Sequence, residues 1–173
     1  YTALNDKGLE RAAEFTPPLS PKAHEYSTRV DMCDVFAQRN TNRTQAQQMA
    51  SWPKMVEKAI AKGAKEGGMN ISNPFGSNWI GQVPTEKLMA MFDRMVQAWN
   101  DAGITVTRIG FSDATGWNMP HQVERTLEEV KKRWPSITDF NLHLHNARGA
   151  ALASIYASLR VLDATDTLRE IGR

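Results

Sequence analysis

From Thr85 to Ala102 the apolar residues Leu88, Met91, Phe92, Met95 and Trp99 recur at spacings of three and four, which predicts a helix with one buried face. Thr85 stands where a cap would start it and Gly103 where a glycine would end it. The next segment, Ile104-Thr105-Val106-Thr107-Arg108-Ile109-Gly110-Phe111, is short and rich in β-branched residues, and it runs into Ser112-Asp113-Ala114-Thr115-Gly116, a turn composition. It reads as a strand ending near Ser112. A second helix is expected from Pro120 to the stop at Pro135, with Val123, Leu127, Val130 and Trp134 on one face. The period then changes to two: Phe140, Leu142 and Leu144 alternate with Asn141, His143 and His145, the mark of a strand with one apolar and one polar face. After Gly149 comes a third helix carrying Leu152, Ile155, Tyr156 and Leu159. Strand, helix, strand, helix at this spacing implies parallel strands joined by right-handed crossovers, hence an α/β fold.

The amino-terminal half is less regular. Lys22 to Val30 reads as a further strand, preceded by a loop in Thr16-Pro17-Pro18-Leu19-Ser20-Pro21, where three prolines in six residues forbid regular structure. Thr44 to Lys62 has a helical pattern that Pro53 breaks or restarts. Gly63, Gly67 and Gly68 read as the approach to a strand at Met69-Asn70-Ile71-Ser72, which ends at Asn73-Pro74-Phe75-Gly76. There is no internal repeat and no low-complexity linker, so residues 1–173 form one domain.

Composition narrows the partners. The 21 basic and 19 acidic side chains leave a net charge of +2 and form no dense run able to track a phosphate backbone, which argues against nucleic acid. No apolar stretch approaches the roughly 20 residues needed to cross a bilayer, and no signal pattern opens the chain, so the expected location is the cytoplasm. The single cysteine, Cys33, excludes an internal disulfide framework. It stands between Asp31 and Asp34, an acidic setting that argues against a nucleophilic thiol.

Two positions carry candidate chemistry. His143-Leu144-His145 puts two imidazoles on one face at the end of a strand, about 6 to 7 Å apart along the chain, so that both can reach one ion. An H-x-H alone is more often a pair of polar strand-lining histidines. The strand context favours a ligand role, because α/β sheets bind beyond the carboxyl ends of their strands. Asp113 sits at the equivalent end of the preceding strand. It is expected either to hold the Gly116 turn, as most aspartates in such places do, or to face the same mouth as the histidines and orient a water, a substrate hydroxyl or an imidazole.

Taken in order, Arg108-Ile109-Gly110-Phe111-Ser112-Asp113-Ala114-Thr115-Gly116 and Asn141-Leu142-His143-Leu144-His145-Asn146-Ala147-Arg148-Gly149-Ala150-Ala151-Leu152-Ala153, one crossover helix apart, resemble the 3-hydroxy-3-methylglutaryl-CoA lyase family. Val35 to Asn42 is similar to the family segment after its third strand, and Asn73-Pro74-Phe75-Gly76 to its proline-containing turn. The resemblance implies a (β/α)8 TIM barrel, present here as a partial barrel, since 173 residues fall short of the about 200 to 250 that eight units take. It implies Mg2+ or Mn2+ held in part by His143 and His145, with zinc disfavoured, and His143 and Asp113 as catalytic residues. It implies a carbon–carbon lyase acting on a 3-hydroxy-acyl-CoA or related hydroxy acid, and a dimer or higher assembly. The family's first strand with its arginine–aspartate pair, and its later glycine-rich loop with a cysteine and a metal-binding asparagine, have no counterpart in the sequence; residues 1–4 resemble a later strand. Asn146 after the second histidine gives half of the pattern of the related acyl-CoA/2-oxo-acid synthases, so Claisen condensation stands as an alternative reaction. A non-catalytic barrel fragment is the other.

Overall fold

Five strands run parallel, side by side, in the order in which the chain makes them. The computed structural model describes residues 6–15 and 26–172. The proline loop expected at 16–21, residues 1–4 and the first part of the strand expected over 22–30 lie outside these. Helix α1 (Asp6–Ala13) is followed by β1 (Ser27–Asp31), α2 (Asp34–Thr41), α3 (Gln45–Ala50), α4 (Trp52–Ala61) and β2 (Glu66–Ser72). A small antiparallel hairpin, β3 (Gly76–Ser77) with β4 (Gly81–Gln82), then leads to α5 (Thr85–Asn100), β5 (Thr105–Asp113), α6 (Pro120–Arg133), β6 (Asp139–Leu144), α7 (Ala151–Ser158) and β7 (Thr167–Gly172). The sheet order β1-β2-β5-β6-β7, with helices in each connection, is the arrangement of consecutive units of a TIM barrel. Among the described residues no helix is long and apolar enough to cross a membrane.

The alternation read in β6 extends across the sheet. Val30, Met69, Ile71, Ile109, Phe111, Phe140, Leu142 and Leu144 are all buried, on the face that the helices cover. Against them pack Trp52 and Val56 of α4, Leu88, Phe92, Met95 and Trp99 of α5, and Val123, Leu127 and Val130 of α6. Phe111 lies between the Phe75 ring, stacked at 6.2 Å, and the Phe92 ring, edge-on at 5.8 Å. Truncating such a side chain typically costs about 3 to 5 kcal/mol. The opposite face carries Asn70, Ser72, Ser112, Asn141 and His143, which share it by register: Ser72 pairs with Ser112, and Ser112 with His143.

Several sequence expectations are corrected. Gly67 and Gly68 lie inside β2 and not in the approach to it. A Cβ on Gly67 would sit 2.7 Å from the Trp99 ring, so Gly67 admits the indole where a side chain would collide; one on Gly68 would sit 2.6 Å from Ser27 Oγ, and the register with β5 shifts between the two glycines. That indole donates from Nε1 to Gly68 O at 3.1 Å and to Thr28 Oγ1 at 3.2 Å. Thr85 is the first helical residue of α5; Pro84 precedes it, and no side chain caps the helix. Pro53 does restart a helix, as expected: α3, whose Thr44 and Gln47 form a capping box, ends at Ala50, and α4 begins with Pro53 in its first turn. Helix α7 turns its small residues inward. Ala151, Ser154, Ala157 and Ser158 are buried, whereas Leu152 and Tyr156 are 78% and 70% exposed and Leu159 is exposed too. Neither α1 nor β7 was legible: the latter has the charged sequence Thr167-Leu168-Arg169-Glu170 and takes its strand form from pairing with β6.

Candidate metal and substrate site

The carboxyl ends of β1, β2, β5 and β6 and the loops that follow them form one edge of the sheet. His143 lies on the polar face of β6 and His145 immediately beyond the strand. Their Nε2 atoms are 3.1 Å apart and both side chains are partly buried. Two nitrogens at that separation can each stand at a metal–imidazole bond length of about 2.1 Å from one ion, as neighbouring ligands. The donor set fits a divalent cation that takes its remaining ligands from oxygen. Among the described residues no group of three or more His, Cys, Asp or Glu side chains gathers, so the imidazole pair is their contribution.

Asp113 does not face the histidines. Strand β5 continues through Asp113, which pairs in register with Leu144, so its side chain belongs to the helix-covered face while Ser112 accompanies His143. The carboxylate is wholly buried. Its Oδ1 accepts from the Trp117 backbone N–H at 3.0 Å, and its Oδ2 from the Asn118 backbone N–H at 2.7 Å and Asn118 Nδ2 at 2.6 Å. Asn118 Nδ2 also donates to the His145 carbonyl at 3.0 Å, and Ser154 Oγ donates to Asn118 Oδ1 at 2.8 Å. Asp113 thus reaches the metal-ligand candidate through Asn118 and the backbone. The turn-holding role weighed for it is the one its bonds show.

The neighbouring loops are tied together in the same way. Asn73, held at φ 51°, donates from Nδ2 to both oxygens of Asp31 and accepts at Oδ1 from Thr115 Oγ1 at 3.0 Å. Asp31 also accepts from the Cys33 backbone N–H at 2.8 Å. Burial pushes the Asp31 carboxyl above its ordinary value, outweighing the lowering effect of the Asn73 and Cys33 hydrogen bonds; the nearby charge of Asp34 pushes the same way. Cys33 itself is buried and free. Asn146 Oδ1 accepts from the first amide of α7, Ala151 N–H, at 3.0 Å, which gives that residue a capping role.

Sequence reasoning did not single out Asn118, Ser154 or Asp31. All three are ordinary polar residues outside any motif, and only their burial, at 1%, 0% and 3% exposure, marks them. Two tryptophans were missed as well. Trp117 Nε1 donates to Asn78 Oδ1 at 2.9 Å, and the Arg148 guanidinium lies 4.7 Å from a Trp117 ring centroid while donating from Nη1 to Gly116 O at 2.6 Å. Trp79, in the turn of the β3–β4 hairpin, carries Arg39 at 5.4 Å and lies 6.2 Å from Phe36.

A family model described as HMGL-like matches residues 1–161. Hydroxymethylglutaryl-CoA lyase YngG of Bacillus subtilis strain 168 is 28% identical over 167 residues, which are 93% of this chain and 50% of that protein. An HMG-CoA lyase from Acinetobacter baumannii, solved in complex with coenzyme A and 3-methylmalate, superimposes with a TM-score of 0.69 at 24% identity, covering 96% of this chain and 48% of the other. The Bacillus subtilis HMG-CoA lyase structure gives 0.68 at 24% identity, covering 97% and 51%. At that identity the structural likeness establishes the barrel fold. The chain spans about half the length of the relatives it matches.

Proposed function

The chain belongs to the HMGL-like family, and from that premise we propose that it serves a divalent-metal-dependent carbon–carbon lyase acting on a 3-hydroxy-acyl-CoA. The observation that carries the reading is the pair of imidazole Nε2 atoms 3.1 Å apart at the carboxyl end of a parallel strand. Sites at that end, with ligands drawn from strand termini, are where such barrels do their chemistry.

His143 and His145 would hold the ion, Mg2+ or Mn2+, which when bound polarises the substrate's hydroxyl and carbonyl oxygens and stabilises the charge that develops on cleavage. In this reading His143, on the polar face of its strand, also takes the proton of the substrate 3-hydroxyl. Loss of that proton lets the oxygen electrons form the new carbonyl as the C2–C3 bond breaks, and the bonding pair passes to the thioester enolate, which is then protonated at C2. Asp113 and Asn118 act at one remove, by fixing the backbone that carries His145. Asn146 accepts from the Ala151 N–H at the start of α7, and condensation stands as the alternative reaction at the same pair of histidines.

The test is calorimetric titration of the protein with Mn2+. His145→Ala should weaken affinity by about a hundredfold or more, since one of few ligands is lost, while the fold survives. Unchanged Mn2+ affinity, with a lowered melting temperature instead, would make the histidines structural and defeat the assignment.

A further inference from the structure

The loops above four neighbouring strands carry an unbroken file of side chains that the metal site does not use. Arg39 of α2, after β1, stacks on Trp79 of the hairpin after β2. Asn78 of that hairpin accepts from Trp117, after β5, and Trp117 carries Arg148, after β6. Trp117 is pressed against the hairpin, since a Cβ on Gly76 would lie 2.8 Å from its ring. Arg148 stands three residues beyond His145, so the file begins at the candidate metal site and runs outward. With strands about 4.8 Å apart, three strand steps give it a length of about 14 Å.

Among the described residues neither Arg39 nor Arg148 has a carboxylate partner. Both are exposed, and each is held in place by an indole face instead. Arg148 spends one guanidinium nitrogen on the Gly116 carbonyl. A guanidinium pre-positioned on an aromatic ring, with donors left over and no acid beside it, is built to receive an oxyanion, and a planar fork suits phosphate in particular. Other arginines of the chain, such as Arg125, Arg133, Arg160 and Arg169, are neutralised by Glu or Asp.

We infer that Arg39 and Arg148, held on Trp79 and Trp117, form a phosphate-binding rim that grips the phosphorylated end of the thioester carrier and so sets its specificity. The inference rests on the acyl-CoA reading of the same site. It adds that the carrier is chosen by its phosphates, at residues other than the metal ligands.

The experiment measures the binding of coenzyme A and of pantetheine, which lacks the phosphates, by calorimetry and tryptophan fluorescence without added metal. Coenzyme A affinity should fall on the order of tenfold in Arg39→Ala and in Arg148→Gln, the latter keeping a donor for Gly116, because a charge-assisted hydrogen bond is lost in each. It should also fall with added salt, whereas pantetheine affinity should be the same in all three proteins. Near-UV circular dichroism checks that the indoles stay packed, and Arg39→Lys, which keeps the charge but not the fork, should lie between. Coenzyme A bound equally well by the unaltered protein and both variants, or not bound at all, overturns the inference, as does an equal loss for pantetheine. Cleavage of a 3-hydroxy-acyl-CoA, assayed separately with metal, keeps the two readings apart. Cleavage with unchanged coenzyme A affinity in the variants removes the rim and leaves the lyase; no cleavage with weakened affinity does the reverse.

Discussion

Replacing Asp113 by asparagine separates a positioning role from a catalytic one. The carboxylate accepts three hydrogen bonds of 2.6 to 3.0 Å in a fully buried setting. Alanine would leave three buried donors without an acceptor. At about 1.5 kcal/mol each the loss is about 4 to 5 kcal/mol, a large part of the 5 to 15 kcal/mol that holds a typical domain together. Asparagine keeps one acceptor oxygen but turns an amide N–H toward donors, so about 2 kcal/mol is expected, or roughly 4 to 8 °C in Tm for a chain of this size. Because Asn118 links Asp113 to the His145 carbonyl, the damage should spread to the imidazole pair. Mn2+ affinity should drop alongside stability, and Asn118→Ala should reproduce both losses. Thermal unfolding and Mn2+ calorimetry on the two variants test this. If Asp113→Asn kept its melting temperature and its Mn2+ affinity while turnover collapsed, the carboxylate would be acting directly on substrate and the argument from its hydrogen bonds would fail.

Two further outcomes follow from buried geometry. Since burial raises the Asp31 carboxyl, the folded chain still holds a proton that the unfolded chain has released just above the ordinary aspartate value of about 4; its contribution to stability is full below that value and is lost as pH rises through the raised one. Denaturant unfolding across that range should show the decline, and Asp31→Asn should flatten it. Gly76→Ala places a Cβ 2.6 Å from the Gly81 carbonyl oxygen at a backbone φ of 148°, so it should cost more than about 2 kcal/mol and shift the emission of Trp117, which the same Cβ would strike; an unchanged spectrum with unchanged stability contradicts this packing.

Much of this protein follows from local chemistry. The spacing of Leu88, Met91, Phe92, Met95 and Trp99 identifies a helix and its buried face because a helix has only one way to hide residues three and four apart. The two-residue period around His143 identifies a strand and assigns the histidine to its polar face, and Pro53 and Pro120 mark helix starts wherever they occur because they lack an N–H. The tertiary structure decided what depends on partners distant in sequence. Between the two roles open to Asp113, the tertiary structure decided by carrying β5 one residue past Ser112 in register with β6, which puts the carboxylate on the helix-covered face. Helix α7 presents Leu152 and Tyr156 outward because Ser154 is drawn inward to Asn118, a bond spanning 36 residues that no period in the helix announces. Gly67 of β2 makes room for the distant Trp99, whose indole donates to the Gly68 carbonyl 31 residues away, and the two arginine–tryptophan stacks join loops that are neighbours only because parallel strands bring their carboxyl ends to one edge.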